Sequence, residues 1–314
     1  MTPPRRSAWL VEQEHPRRAG DAWEHGGRIL AGAHRDAVGI PLGPGRLGLF
    51  RPARGWWPEH VLEVPRDARL VAPYPSLDRA VVLRPGRLEG VGGGPGPRPW
   101  TFPTQALDFD GAGQGLWASG EEGSEGHRVH LLEADSLERV VSAPVDGDSD
   151  GAHELLPHPV EPVMGVSVSC GQDGTWMTFL RREGSRLVRV GGLAAVDDPF
   201  SAVGFLEGGD AFVGISNTWV RLWSFPDCRL LAEYVLPVDR MTEFTGAVTG
   251  TSVLVPVMDD TGDGRWELYQ LEARTLRPEC IWELPLPGED VALLEVLPGD
   301  YLLGEERLWK LTRG

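Results

Sequence analysis

The chain is predicted to be all-β, a seven-bladed β-propeller closed by an N-terminal strand that completes the last blade. Three observations predict this. Gly and Pro make up 68 of the 314 residues, about 22%, and they are spread as short turns instead of being gathered in a linker. Between the turns run segments of five to eight residues rich in Val, Leu, Trp, Phe and Thr, with almost no helical periodicity. The third observation is a period. The third strand of successive units starts at Val129, Trp176, Trp219, Trp266 and Leu308, giving spacings of 47, 43, 47 and 42 residues, and a repeat near 45 residues is a propeller spacing.

The clearest unit is 201–236, where four strand segments are separated by the turns Glu-Gly-Gly-Asp, Asn-Thr and Phe-Pro-Asp-Cys. It reads as a four-stranded antiparallel meander. The same pattern lies over 106–144, 163–190 and 244–286, each with a turn before its fourth strand. Near the C-terminus 291–297, 301–303 and 307–311 supply three strands, one short of a unit. The apolar segment 7–12, Ser-Ala-Trp-Leu-Val-Glu, is the natural fourth, because an open sheet edge invites pairing with other chains. The blades are then 16–65, 68–103, 106–145, 151–192, 199–237, 243–287 and 290–314, with 1–14 as the closing strand of one domain covering 1–314. Six blades are the fallback, since the first 65 residues repeat poorly.

With this repeat length and four-strand meander, the sequence places Gly126-His127 before a third strand and Glu-Ala-Asp-Ser before a fourth. In these features it resembles the WD40-like seven-bladed propeller superfamily, over blades three to seven well and over blades one and two weakly. The Trp-Asp dipeptide that gives WD40 proteins their name is missing from every blade, so the resemblance is to the architecture. It implies a rigid scaffold whose loops bind other proteins, with enzymes a minority.

No apolar run approaches the ~18 residues a membrane helix requires; the best stretch, 291–297, contains Glu295. The N-terminus has two arginines but no apolar core of signal-peptide length, so a cytoplasmic location is expected. Cys170, Cys228 and Cys280 are odd in number and more than 50 residues apart, which fits reduced thiols better than disulfides or a zinc cluster.

Charge is distributed unevenly. Residues 1–105 hold 15 Arg against 10 acidic residues, net +5, whereas 106–314 hold 15 Lys plus Arg against 36 acidic residues, net −21. The acids gather in loops: Glu121, Glu122 and Glu125; Asp146, Asp148 and Asp150; Asp197 and Asp198; Asp259, Asp260 and Asp263; Glu289 and Asp290; Glu305 and Glu306. In a propeller, the loops joining strands two and three and those joining successive blades open on one face. That face is expected to be electronegative. It serves either as a solvated surface that maintains solubility or as a docking surface for a basic protein segment. Nucleic acid is disfavoured, because such a face repels phosphate and no basic aromatic stripe is present. The pair Trp56 and Trp57 fits blade packing or an interface anchor.

Two acidic loops have cation-ligand spacing. Asp146, Asp148, Asp150 and Glu154 take positions 1, 3, 5 and 9 around a Gly at position 6, and Asp259, Thr261, Asp263 and Glu267 repeat the pattern. The spacing is similar to the calcium loops of integrin-type blades, with Glu in place of Asp at position 9. The plain alternative is a solvent-exposed Gly-Asp turn. No cofactor is required, and calcium is the one candidate.

Enzyme signatures are poor. His153-Glu-Leu-Leu-Pro-His158 sets its second His one residue too late for a zinc helix, and Pro157 breaks the helix. Gly165 to Gly171 lacks the final glycine of a nucleophile elbow, and the glycine run 90–96 has no Lys-Ser/Thr after it. No catalytic residue is assigned. The expected function is a non-catalytic protein-interaction scaffold, a subunit of a bacterial-type multiprotein assembly, with no membrane partner. The alternatives are a calcium-stabilised ligand-binding propeller and an enzyme with its site at the mouth of the central channel.

Overall fold

The computed structural model describes residues 3–12, 30–31, 38–43, 45–51, 58–148, 150–196, 198–259, 265–286, 294–297, 301–304 and 308–313. Two compact units divide the chain: 16–197, and 1–15 together with 198–314. The N-terminal strand β1 (Arg5–Glu12) belongs to the latter.

Unit 16–197 contains four antiparallel meanders, each with its strands hydrogen-bonded in sequence order. The first has β2 (Leu30–Ala31), β3 (Val38–Gly43), β4 (Arg46–Phe50) and β5 (His60–Glu63). The second has β6 (Leu70–Pro73), β7 (Ala80–Arg84), β8 (Arg87–Val91) and β9 (Arg98–Pro99). The third has β10 (Thr104–Phe109), β11 (Gly115–Glu121), β12 (His127–Glu133) and β13 (Arg139–Pro144). The fourth has β14 (Ala152–Pro157), β15 (Val163–Ser169), β16 (Thr175–Glu183) and β17 (Arg186–Val196). Inner strands such as β11 and β15 are buried on both faces, which is why they read as apolar runs without alternation. Apolar clusters fill the spaces between neighbouring sheets, one around Phe109 and Leu132 and another around Trp117 and Val166. Burying a side chain of this size stabilises the fold by roughly 1.5–3 kcal/mol.

The other unit holds the meander β18 (Ser201–Phe205), β19 (Ala211–Ile215), β20 (Trp219–Ser224) and β21 (Leu230–Val235). It also holds a nine-stranded sheet made of β1, β22 (Arg240–Met241), β23 (Ala247–Thr249), β24 (Ser252–Asp259), β25 (Trp266–Glu272), β26 (Pro278–Glu283), β27 (Glu295–Leu297), β28 (Tyr301–Leu303) and β29 (Leu308–Arg313). β1 joins two meanders here. Its residues 8–12 pair antiparallel with β29, the pairing expected of a strand added to the last unit. Residues 5–7 also pair, in parallel, with the outer edge of β26, which the sequence did not foretell.

The meanders share a local signature. Leu137, Cys228 and Leu276 adopt positive φ near 54° in the turn before the fourth strand, each N–H bonding back to the carbonyl four residues earlier. Beside each turn the pairing of third and fourth strands slips, at Leu131/Leu132, Leu222/Trp223 and Gln270/Leu271. The repeated four-stranded antiparallel meander is the architecture of a β-propeller.

Two expected strands differ. The fourth strand of the second unit, the blade read over 68–103, is reduced to Arg98–Pro99. Pro97, Pro99 and Pro103 lack the N–H a ladder needs, so the chain continues as a strap over the third sheet. The first strand of the unit expected to start at 243 is split into β22 and β23, with Phe244 at φ 59° between them.

Candidate functional site at the loop end of β11, β12 and β14

Two loops of unit 16–197 have the same form. The β11–β12 loop Glu-Gly-Ser-Glu-Gly and the β15–β16 loop Cys-Gly-Gln-Asp-Gly each make one 3-10 turn, over Gly123–Glu125 and Gly171–Asp173. In each, the residue before the turn bonds to the closing glycine, Glu122 to Gly126 and Cys170 to Gly174. Gly174 sits at φ +93°, and a Cβ there would run into the Val196 carbonyl, so only glycine fits.

Beneath these loops, between the third and fourth sheets, runs a buried polar chain. Ser119 Oγ lies 2.6 Å from His153 Nδ1, and His153 Nε2 lies 2.9 Å from His127 Nδ1. His127 Nε2 meets the backbone carbonyl of Asp148. A carbonyl can only accept, so His127 carries its proton on Nε2. With both rings neutral, His127 Nδ1 accepts from His153 Nε2–H, and His153 Nδ1 accepts from the Ser119 hydroxyl. Every donor then points one way, from Ser119 to Asp148. Burial first, and the neighbouring His127 second, lower the His153 pKa to about 4. Gln105 Oε1 accepts the His153 backbone N–H at 3.3 Å, and the Cys170 thiol also donates to the Asp148 carbonyl, at 3.2 Å. Ser119 is 0% exposed and both rings are buried, so the hydroxyl is not presented to a substrate. The chain's effect is to pin the Asp148 backbone.

The pinned segment carries half of the acidic pattern seen in the sequence. Asp148 and Asp150 are exposed, whereas the Asp146 carboxylate pairs with Arg189 at 2.6 Å and its N–H donates to Thr178. Glu154 lies on β14 opposite Ser167. Glu121, Glu122 and Glu125 border the same end, where Arg128 pairs with Glu125 at 3.2 Å and Glu122 at 3.5 Å. Burial, followed by the carboxylates of Asp148, Asp173 and Glu121, raises the Cys170 thiol pKa; the thiol's bond to the Asp148 carbonyl opposes the rise. Three loops thus bring Glu121, Asp148 and Asp173 near Cys170.

The second acidic loop is placed only in part. Asp260, Thr261 and Asp263 lie outside the described residues, as do Asp197, Glu289, Asp290, Glu305, Glu306, Trp56 and Trp57. Asp259 and Glu267 are both held by Arg240, Asp259 Oδ1 at 2.9 Å and Glu267 Oε2 at 3.2 Å. Arg5 of β1 takes the other Glu267 oxygen at 2.7 Å. Burial, with Glu267 second, pushes Tyr269 up to about 12 and also raises Tyr234. Among the described residues, no three His, Cys, Asp or Glu side chains converge as a metal cluster would. Asp198 accepts the Trp219 indole N–H at 2.9 Å.

Ser119, His130 and Arg240 escaped the sequence reading. The available signal was histidine: four of the eight fall between 127 and 158, with apolar neighbours, and all four are buried.

No family model matches the chain, and no curated protein matches it. Among solved structures it is similar to the crystal structure of BamB from Moraxella catarrhalis, with a TM-score of 0.49, 15% identity, and coverage of 88% of this chain and 80% of that chain.

Proposed function

We propose that the chain is a non-catalytic protein-interaction scaffold, a subunit of a multiprotein assembly that docks a basic segment of its partner on the acidic loops of unit 16–197. The observation that supports this reading is the gathering of Glu121, Asp148 and Asp173 around Cys170, with Glu122 and Glu125 on the adjoining loop. A net negative field on these loops, offset in part by Arg128 and Arg189, accelerates encounter with an oppositely charged segment and selects against acidic ones. The buried Ser119–His153–His127 chain supports it further, because a pinned Asp148 backbone reduces the ordering cost of binding.

The test is recovery of the chain from native cells with its partners identified by mass spectrometry, repeated with Glu121, Glu125 and Asp173 changed to Lys. A partner that is retained at low salt, released in molar salt and lost from the triple variant is the expected result. A monomer with no co-purifying protein, or a partner held equally in molar salt, contradicts the proposal.

A further inference from the structure

The strap between β9 and β10, Pro99-Trp100-Thr101-Phe102-Pro103, lies over the face of the third sheet opposite the Ser119 chain. Its alternation is sharp: Thr101 and Pro103 are exposed, whereas Trp100 and Phe102 turn inward. Both rings meet His130 of β12 edge-on, with centroids 5.6 and 4.1 Å away and interplanar angles of 84° and 78°. His130 is 2% exposed, and neither ring nitrogen has a hydrogen-bond partner among the described residues. A buried polar group left in this way costs free energy that ordinary packing does not recover.

Four contacts fix the strap in place, two of them to the β12–β13 turn of the third sheet and one to the second sheet. Arg98 donates to the Ser136 carbonyl and to Glu138, the Trp100 N–H donates to the Gly86 carbonyl, and the Trp100 indole donates to Thr104 Oγ1. The Pro103 carbonyl presses onto β11 at Gly120, where any Cβ would collide with it. None of these contacts involves His130. We propose that the strap is an acid-released cover: closed, it holds His130 neutral between two aromatic rings, and protonation of the imidazole requires the strap to lift.

The charges around the ring favour this. Arg139 of β13 and Arg128 of β12 are the charged groups bearing on His130. Glu122 and Glu125 are engaged with Arg128, and Glu138 with Arg98. The register places the uncharged Thr104, Leu107, Ala118 and Gly120 of β10 and β11 on the same face, and Ser142 of β13 opposite His130. Among the described residues, an imidazolium formed under the closed strap would have the Arg139 and Arg128 guanidiniums nearby, the second already shared with Glu122 and Glu125, and no carboxylate paired with the ring itself. Burial foremost, with Arg139 and Arg128 adding to it, lowers the His130 pKa from 6.5 to about 4 in the closed state. With the ring exposed in the open state, linkage predicts that the opening equilibrium at pH 5 rises about thirty-fold over its value at pH 7.5.

Amide hydrogen exchange of Trp100, whose N–H is bonded to the Gly86 carbonyl while its ring covers His130, reads this. Protection factors, corrected for the intrinsic pH dependence of exchange, are compared at pH 7.5 and 5.0 in the wild type and in His130→Leu. Expected is a roughly thirty-fold loss at Trp100 in the wild type, little change at Trp100 in the variant, and no loss at Val129 or Leu131 within β12. Should the leucine variant fold poorly, His130→Gln replaces it, and NMR titration of the wild-type His130 ring serves as a second readout. Equal losses in wild type and variant, or His130 titrating near its ordinary value with Trp100 still protected, would overturn the proposal.

Discussion

Replacing Arg240 by Met tests how the acidic end of β24 and β25 is stabilised. The Arg240 and Glu267 side chains are only 12% and 7% exposed, so their pairing is largely shielded from solvent. Removing one member of such a pair strands the other, at a cost of about 3–5 kcal/mol. Arg5, 48% exposed, still reaches Glu267 and softens the loss, which places the expected destabilisation near the lower bound, at about 3 kcal/mol. The assay is urea unfolding with a calcium chelator present, for Arg240→Met, Glu267→Gln and the double variant. Because the two side chains touch, the double variant is expected to be at least 1 kcal/mol more stable than the sum of the single effects predicts. An Arg240→Met protein within about 0.5 kcal/mol of wild type, or strictly additive single effects, refutes the reasoning.

Other outcomes follow from the same contacts. His153, neutral when folded, costs stability as pH falls from 6.5 towards its folded value of about 4, by up to 1.4 kcal/mol per pH unit, and a His153→Asn variant measured by urea unfolding should show a shallower acid slope. Ser119→Ala leaves a buried imidazole acceptor unpaired and should lower stability by about 1–3 kcal/mol, seen in the same unfolding assay together with a shifted His153 ring nitrogen signal. Neutralising Glu121 and Asp173 to Gln and Asn removes carboxylates that disfavour the Cys170 thiolate, so alkylation of Cys170 at pH 8 should accelerate; an unchanged rate would count against the acidic clustering. If the 146–154 or 259–267 loop takes calcium, millimolar calcium raises the melting temperature of the wild type, whereas an unmoved transition removes calcium from the account.

Much of the fold was legible because each meander repeats its turns. In 201–236 Gly, Asn and Pro mark all three connections, and Trp219 and Trp266 recur at the same buried position. The positive-φ residues at Leu137, Cys228 and Leu276 were not legible, since leucine is a poor choice for that conformation and only the slipped ladder beside it explains the turn. The strap is not legible as such, because Trp100 and Phe102 alternate as strand residues do while the flanking prolines deny the ladder its donors. At the site, the acids of the β11–β12 loop and of 146–150 stood out as turn composition. The hydrogen-bonded chain under them did not, because Ser119, His127 and His153 lie on three strands and meet only through packing. The Asp259 to Glu267 spacing likewise carries no sign of Arg240, which reaches both ends of it from β22.

The double pairing of β1 sets an order of events. Its partners on β26 and β29 lie about 275 and 300 residues further along the chain, so the contacts of β1 form only after both have been made. During synthesis the β1 segment, with its apolar Ala8-Trp9-Leu10, leaves the ribosome long before either partner exists. A chain stopped before β29 therefore leaves β1 without its antiparallel partner, an open edge that favours association with other chains.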